Sequence, residues 1–191
     1  THWFQILIVT FFTAVIMTVV RMASYEADMA QFYWSSDTTK FIDLFSLVKS
    51  QLIFATAILC VLVFLYHLLF QMFYIKKSYA YIPMMVYVIF VLLSYVFSDY
   101  QEFALWGWRD RFEGTVALIS YMVVLFYTIN AVNTEKNVKW ILYPVAAASA
   151  ILGLIGLSQY CRHDFFQTAL GGRLITPSSY WDNLDKLRFN F

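Results

Sequence analysis

Leu52-Ile53-Phe54-Ala55-Thr56-Ala57-Ile58-Leu59-Cys60-Val61-Leu62-Val63-Phe64-Leu65-Tyr66-His67-Leu68-Leu69-Phe70-Gln71-Met72-Phe73 contains no Asp, Glu, Lys or Arg. As a helix, a run of this length covers roughly 30 Å of hydrocarbon. It does not alternate polar with apolar residues as the wall of a membrane barrel must, so a strand is excluded. Four more runs share its character: Trp3–Val20, Ala80–Phe97, Thr115–Val132 and Val138–Leu157. The pattern predicts an all-α integral membrane protein. Its expected form is five transmembrane helices, spanning about residues 3–20, 52–73, 80–97, 115–132 and 138–157, with a short interfacial helix between the first and second.

Composition agrees. The chain is 61% hydrophobic and 13% charged, with a mean hydropathy of +0.65, whereas soluble domains carry about 25% charged residues. The lipid bilayer is therefore the first expected partner. Nucleic acid is not expected, because the net charge is +1 and no Lys/Arg cluster tracks a phosphate backbone. Cys60 and Cys161 read as small apolar fillers rather than a disulfide framework. His2, His67 and His163 are scattered without metal-ligand spacing. No Walker loop or Ser/His/Asp set is present, so no cofactor is expected.

Short loops set the expected orientation. Ile75-Lys76-Lys77-Ser78 is basic, and residues 133–139 carry Lys136 and Lys139 against Glu135. By the positive-inside rule these turns are cytoplasmic. The N-terminus is then also cytoplasmic, and segments 21–49, 98–114 and 158–191 are extracytoplasmic. In the first of these, Ser35 to Thr39 offer helix caps. Phe41, Ile42, Leu44, Phe45 and Val48 then share one helical face, which is the basis of the interfacial helix. His67 reads as a locally hydrogen-bonded interfacial side chain. Pro83 falls in a first helical turn, where its missing N–H costs little, and Pro144 is expected to kink the fifth span. Ala146, Ser149, Ala150 and Gly153 form a small-residue face suited to helix packing within the chain. The chain starts with Thr and is expected to be part of a longer polypeptide.

One polar stretch interrupts this pattern: Trp106-Gly107-Trp108-Arg109-Asp110-Arg111-Phe112-Glu113-Gly114. Ionisable groups at a membrane edge are costly unless paired or wet. Asp110 and Glu113 suit the start of the following helix, where the macrodipole favours acids; Arg109 and Arg111 do not. Two readings fit. In one, the arginines and the helix N-terminus bind a phosphate. In the other, they snorkel between tryptophan anchors and form local salt bridges with Asp110, Glu113 or Glu102. Charge and spacing alone favour the second.

The Gly107…Arg111-Phe112-Glu113-Gly114 turn resembles the Gly…Arg-Tyr-Glu-Gly turn of O-antigen ligase/polymerase-like proteins, with Phe112 in place of Tyr. Two further patches are similar in order and spacing to the N-terminal half of that family. One is Tyr33-Trp34 followed by Asp43 to Lys49. The other is Gly153 to Tyr160 followed by Asp164-Phe165-Phe166. The resemblance implies a polytopic enzyme of the bacterial cytoplasmic membrane that moves glycan from an undecaprenyl-pyrophosphate carrier to an acceptor sugar outside the cytoplasm. It places the catalytic His and pyrophosphate-binding arginines in a large outer loop further downstream, so the rest of the polypeptide would complete the site. Arg109, Arg111 and Glu113 are the candidate substrate-binding residues, and none is assigned as catalytic. The alternative from another class is a non-catalytic multi-span transporter or scaffold subunit.

Overall fold

A computed structural model describes residues 2–26, 40–43, 45–70, 75–108, 111–178 and 181. The chain divides into two compact units, Thr1–Thr18 with Lys49–Ser149, and Val19–Val48 with Ala150–Phe191.

The first unit is helical. Helix α1 (His2–Thr10) continues through a π-helical turn (Phe11–Val15) into α2 (Ile16–Thr18). The Thr13 hydroxyl donates to the Val9 carbonyl at 2.9 Å, the back-bonding that bends and widens a helix. Helices α3 (Leu47–Phe70), α4 (Tyr81–Val96), α5 (Gln101–Trp106), α6 (Thr115–Ala131) and α7 (Glu135–Tyr160) follow. The core joins three apolar stripes: Val9, Phe12 and Ile16; Ile53, Ala57 and Cys60 on α3; and Val124, Tyr127 and Ala131 on α6. Each stripe repeats at three- or four-residue intervals, which keeps it on one helical face. Among the described residues the buried Tyr127 hydroxyl finds no hydrogen-bond partner, a cost that apolar packing must offset.

Polar contacts close the lysine end of this unit. Asn130, only 1% exposed, accepts the Lys76 N–H (3.0 Å) and donates to Tyr81 Oη (3.1 Å) and the Phe126 carbonyl (2.8 Å). Lys76 Nζ donates to the carbonyls of Ile129 and Val132. The last carbonyls of α6, which have no intrahelical donor, are thus met by a cation where the macrodipole favours one. Burial holds the Lys76 ammonium below its ordinary pKa. Pro144 lies inside α7 and leaves the Trp140 carbonyl without its N–H donor. Thr10 Oγ1 approaches that carbonyl at 3.4 Å.

In the second unit β1 (Ala23–Glu26) pairs antiparallel with β2 (Lys40–Asp43), in register Ala23↔Asp43 through Glu26↔Lys40. A 3-10 turn (Phe165–Gln167) and α8 (Ala169–Ile175) follow α7. The Met22 N–H donates to the Ile175 carbonyl at 2.7 Å.

Two features of the expected fold class are corrected. Among the described residues there are not five helices of transmembrane length: only Leu47–Phe70 (24 residues) and Glu135–Tyr160 (26 residues) are long and apolar enough to cross a membrane, while Trp3–Thr18, Tyr81–Val96 and Thr115–Ala131 are shorter. Apolar residues run on past the helix ends. Phe97 leaves helical geometry at φ −90°, ψ 6°, and Val132 is extended at φ −80°, ψ 109°. The two longer helices allow insertion into a membrane.

Among the described residues the expected short interfacial helix is not found either. Lys40–Asp43 is a strand, and the carboxylate of Asp43 accepts the N–H groups of Phe45, Ser46 and Leu47 at 2.7–3.1 Å. That carboxylate ends the strand and starts α3, as a capping acid does. The expected caps at Ser35 to Thr39 lie outside the described residues. His67 is buried, with its ring 5.7 Å from that of Tyr66. At Gly153 and Gly156 an added Cβ would meet nothing within 4 Å. The small-residue face of α7 is therefore open at these two positions.

Lys76→Met removes the cation from the end of α6. Thermal unfolding in detergent is expected to show a loss of about 1–2 kcal/mol. Lys77→Met, at an exposed neighbouring position, should change stability by less than about 0.5 kcal/mol.

Candidate functional site

The Trp106–Gly114 stretch joins α5 to α6, and its path is set by two glycines. Gly107 has φ +88°, which side chains other than hydrogen rarely permit. Its N–H donates to the Phe103 carbonyl at 2.8 Å, ending α5. A Cβ at Gly107 would lie 2.5 Å from the Glu113 nitrogen and 2.6 Å from the Gly114 nitrogen. A Cβ at Gly114 would in turn collide with the Gly107 nitrogen and the Leu105 carbonyl oxygen. The two backbones therefore touch where the chain leaves α5 and enters α6. Both glycines of the quoted motif are required by contact.

Within the loop, the Trp108 carbonyl accepts the N–H groups of Arg111 (2.9 Å) and Phe112 (2.8 Å). Phe112 takes φ +52°, a left-handed conformation costing an L-residue roughly 1–2 kcal/mol. The Trp108 ring packs 5.2 Å from that of Phe103. Thr115 Oγ1 donates to the Ala104 carbonyl at 2.9 Å, which ties the first residue of α6 back to α5. Gly114 is the N-cap of α6 and supplies no side-chain hydrogen bond.

Arg111 and Glu113, two of the expected site residues, are exposed on this loop. Arg109, the third, lies outside the described residues, as does Asp110. Among the described residues no ion pair joins Arg111 to Glu113 or to Glu102. Arg111 is thus exposed on the turn just before the start of α6. A planar fork beside backbone donors can bind an anion. The loop contains no Ser, Cys or His; its ionisable groups are two arginines and two carboxylates.

The other stretches of resemblance have local structural roles. Asp164 accepts the Phe166 N–H (2.9 Å), caps the 3-10 turn and is approached by Gln159 Nε2 at 3.3 Å. Beyond it, the Cβ of any larger residue at Gly171 would strike the backbone of Phe165 and Phe166. Asp43 caps α3 as described, and Tyr33-Trp34 lie outside the described residues. Sequence reading overlooked Lys76, Asn130 and the Thr10–Trp140 contact as organising groups. The available signals were an asparagine in an otherwise apolar run and a proline inside a helix.

No protein-family model, curated protein or solved structure matches this chain.

Gly114→Ala must displace backbone atoms rather than a flexible side chain. Its expected cost is about 2 kcal/mol or more in thermal unfolding. Gly156→Ala sits in open space within a helix and should stabilise the chain by about 0.5–1 kcal/mol.

Proposed function

We propose that this chain is the N-terminal part of an O-antigen ligase/polymerase-like glycosyltransferase. In this reading it serves transfer of glycan from an undecaprenyl-pyrophosphate carrier to an acceptor at the outer face of the bacterial cytoplasmic membrane. The observation that carries the reading is the Gly107…Arg111-Phe112-Glu113-Gly114 motif, whose glycines close a loop that presents Arg111. A pyrophosphate is a dianionic or more highly charged group, and an arginine fork engages two of its oxygens at once. Arg109 and Glu113 complete the proposed binding set. Arg111 orients the carrier's phosphate or braces the downstream loop that supplies the catalytic groups.

The bilayer environment is supported by the two long apolar helices and by the surfaces of the bundle. No residue of α4 is buried, and Phe90 is 67% exposed. Apolar surface of that extent is stable against lipid or a partner and unfavourable against water. Lysines at one end of the bundle, at Lys76-Lys77 and at Lys136 and Lys139, support in this reading a cytoplasmic position for that end by the positive-inside rule.

In the full-length protein, Arg111→Lys keeps the charge and loses the fork. Glycan transfer is expected to fall about tenfold at normal membrane levels, the equivalent of one charged hydrogen bond; unchanged transfer rules out a role for the fork. Orientation has a built-in probe, because Cys161 at the end of α7 is exposed and Cys60 is buried. In intact cells a membrane-impermeant maleimide should modify Cys161. A Cys161→Ser/Lys136→Cys chain should react only after permeabilisation.

A further inference from the structure

At the lysine end of the first unit, α1 and α7 line a half-open cleft of about 480 Å³, within the size range of ligand pockets. Its two ends differ in chemistry. Lys136 and Asn137, in the first turn of α7, line one end; Trp3, Leu7, Trp140 and Pro144 provide an apolar wall. From position 136 to position 144 the wall runs roughly 12 Å along the helix. A polar head followed by a hydrocarbon chain is the shape of ligand that fits such zoning.

The polar end is not explained by the helix itself. Thr134 already caps α7, its hydroxyl and carbonyl receiving the Asn137 N–H at 3.3 and 3.0 Å. A lysine in the first turn opposes the macrodipole instead of complementing it. Among the described residues Lys136 has no ion-pair partner, and no acidic side chain lines the cavity. Trp3 and Trp140 are 69% and 54% exposed, and indoles of this kind sit at the headgroup level of a bilayer. Thr10 Oγ1 holds the α1 side of the cavity to the Trp140 carbonyl left free by Pro144.

We infer that this cleft binds an anionic phospholipid of the cytoplasmic leaflet. Lys136 and Asn137 engage its phosphate, and an acyl chain lies against Leu7, Trp140 and Pro144. The charge of the cleft is complementary to an anionic headgroup, and a basic pocket between helices on the cytoplasmic side is a recognised form of lipid site. The inference rests on membrane insertion and not on glycan transfer. The maleimide result tests insertion separately, so the two can fail independently.

The test uses the purified chain in phosphatidylcholine vesicles doped with either brominated-chain phosphatidylglycerol or brominated-chain phosphatidylcholine, with tryptophan quenching as the readout. Half-maximal quenching is expected at about fivefold less phosphatidylglycerol, the factor that one lysine near an anionic surface contributes. Trp3→Phe/Trp140→Phe should remove the preferential component, because these indoles flank the site. Lys136→Glu should bring the ratio of the two lipids to near one. Lys139→Glu, which makes the same charge change outside the cleft, should leave the preference in place. Equal quenching by both lipids in the unmodified chain overturns the inference. So does a preference that survives Lys136→Glu, or one lost equally in Lys139→Glu, which would assign it to general surface charge.

Discussion

The buried carboxamide of Asn130 is the constraint on which the bundle depends. It binds three groups at once: the Lys76 backbone, the Tyr81 hydroxyl and its own helix at Phe126. A side chain with both an acceptor and donors can join a loop, the start of α4 and the end of α6 without leaving a polar atom unsatisfied. Unpaired, the same group would destabilise the interior, so the contact favours one arrangement of the turn over others. Lys76 extends the arrangement by covering the last carbonyls of α6.

At the far end of α6 the fixing device is different in kind. There the chain reverses through direct backbone contact between Gly107 and Gly114, and the hydroxyl of Thr115 secures the result. Helix α6 is thus tied at one end by polar side chains and at the other by the absence of side chains. Its middle contributes Val124 and Tyr127 to the core. The backbone on either side of the exposed arginine is fixed by the same glycine contact that closes this end of the bundle.

The helical character of the long apolar runs is legible from composition, as is the motif around Gly107 and Gly114. Helix length is not. Hydropathy reports which residues avoid water, and Phe97 or Val132 avoid it as well from a turn as from a helix. The stretch at Phe41-Ile42 illustrates a second limit. Its apolar spacing suits a helical face, yet pairing with Ala23–Glu26 makes it a strand. Pairing partners distant in sequence leave no local periodicity, and β preference is mostly a matter of tertiary surroundings.

By itself the sequence determined that this chain is rich in helix, that its apolar content is high, and that charge is concentrated in a few turns. It also marked the Trp106–Gly114 loop, since two glycines and four charged residues between apolar runs stand out by composition alone. Only the tertiary structure decided which helices reach membrane-crossing length, that Asp43 caps α3 instead of riding on an interfacial helix, and that Arg111 and Glu113 are displayed apart instead of paired. For the first two the physical reason is that backbone groups must find partners, which residue type alone does not specify; for the third it is that the turn sets where two side chains emerge.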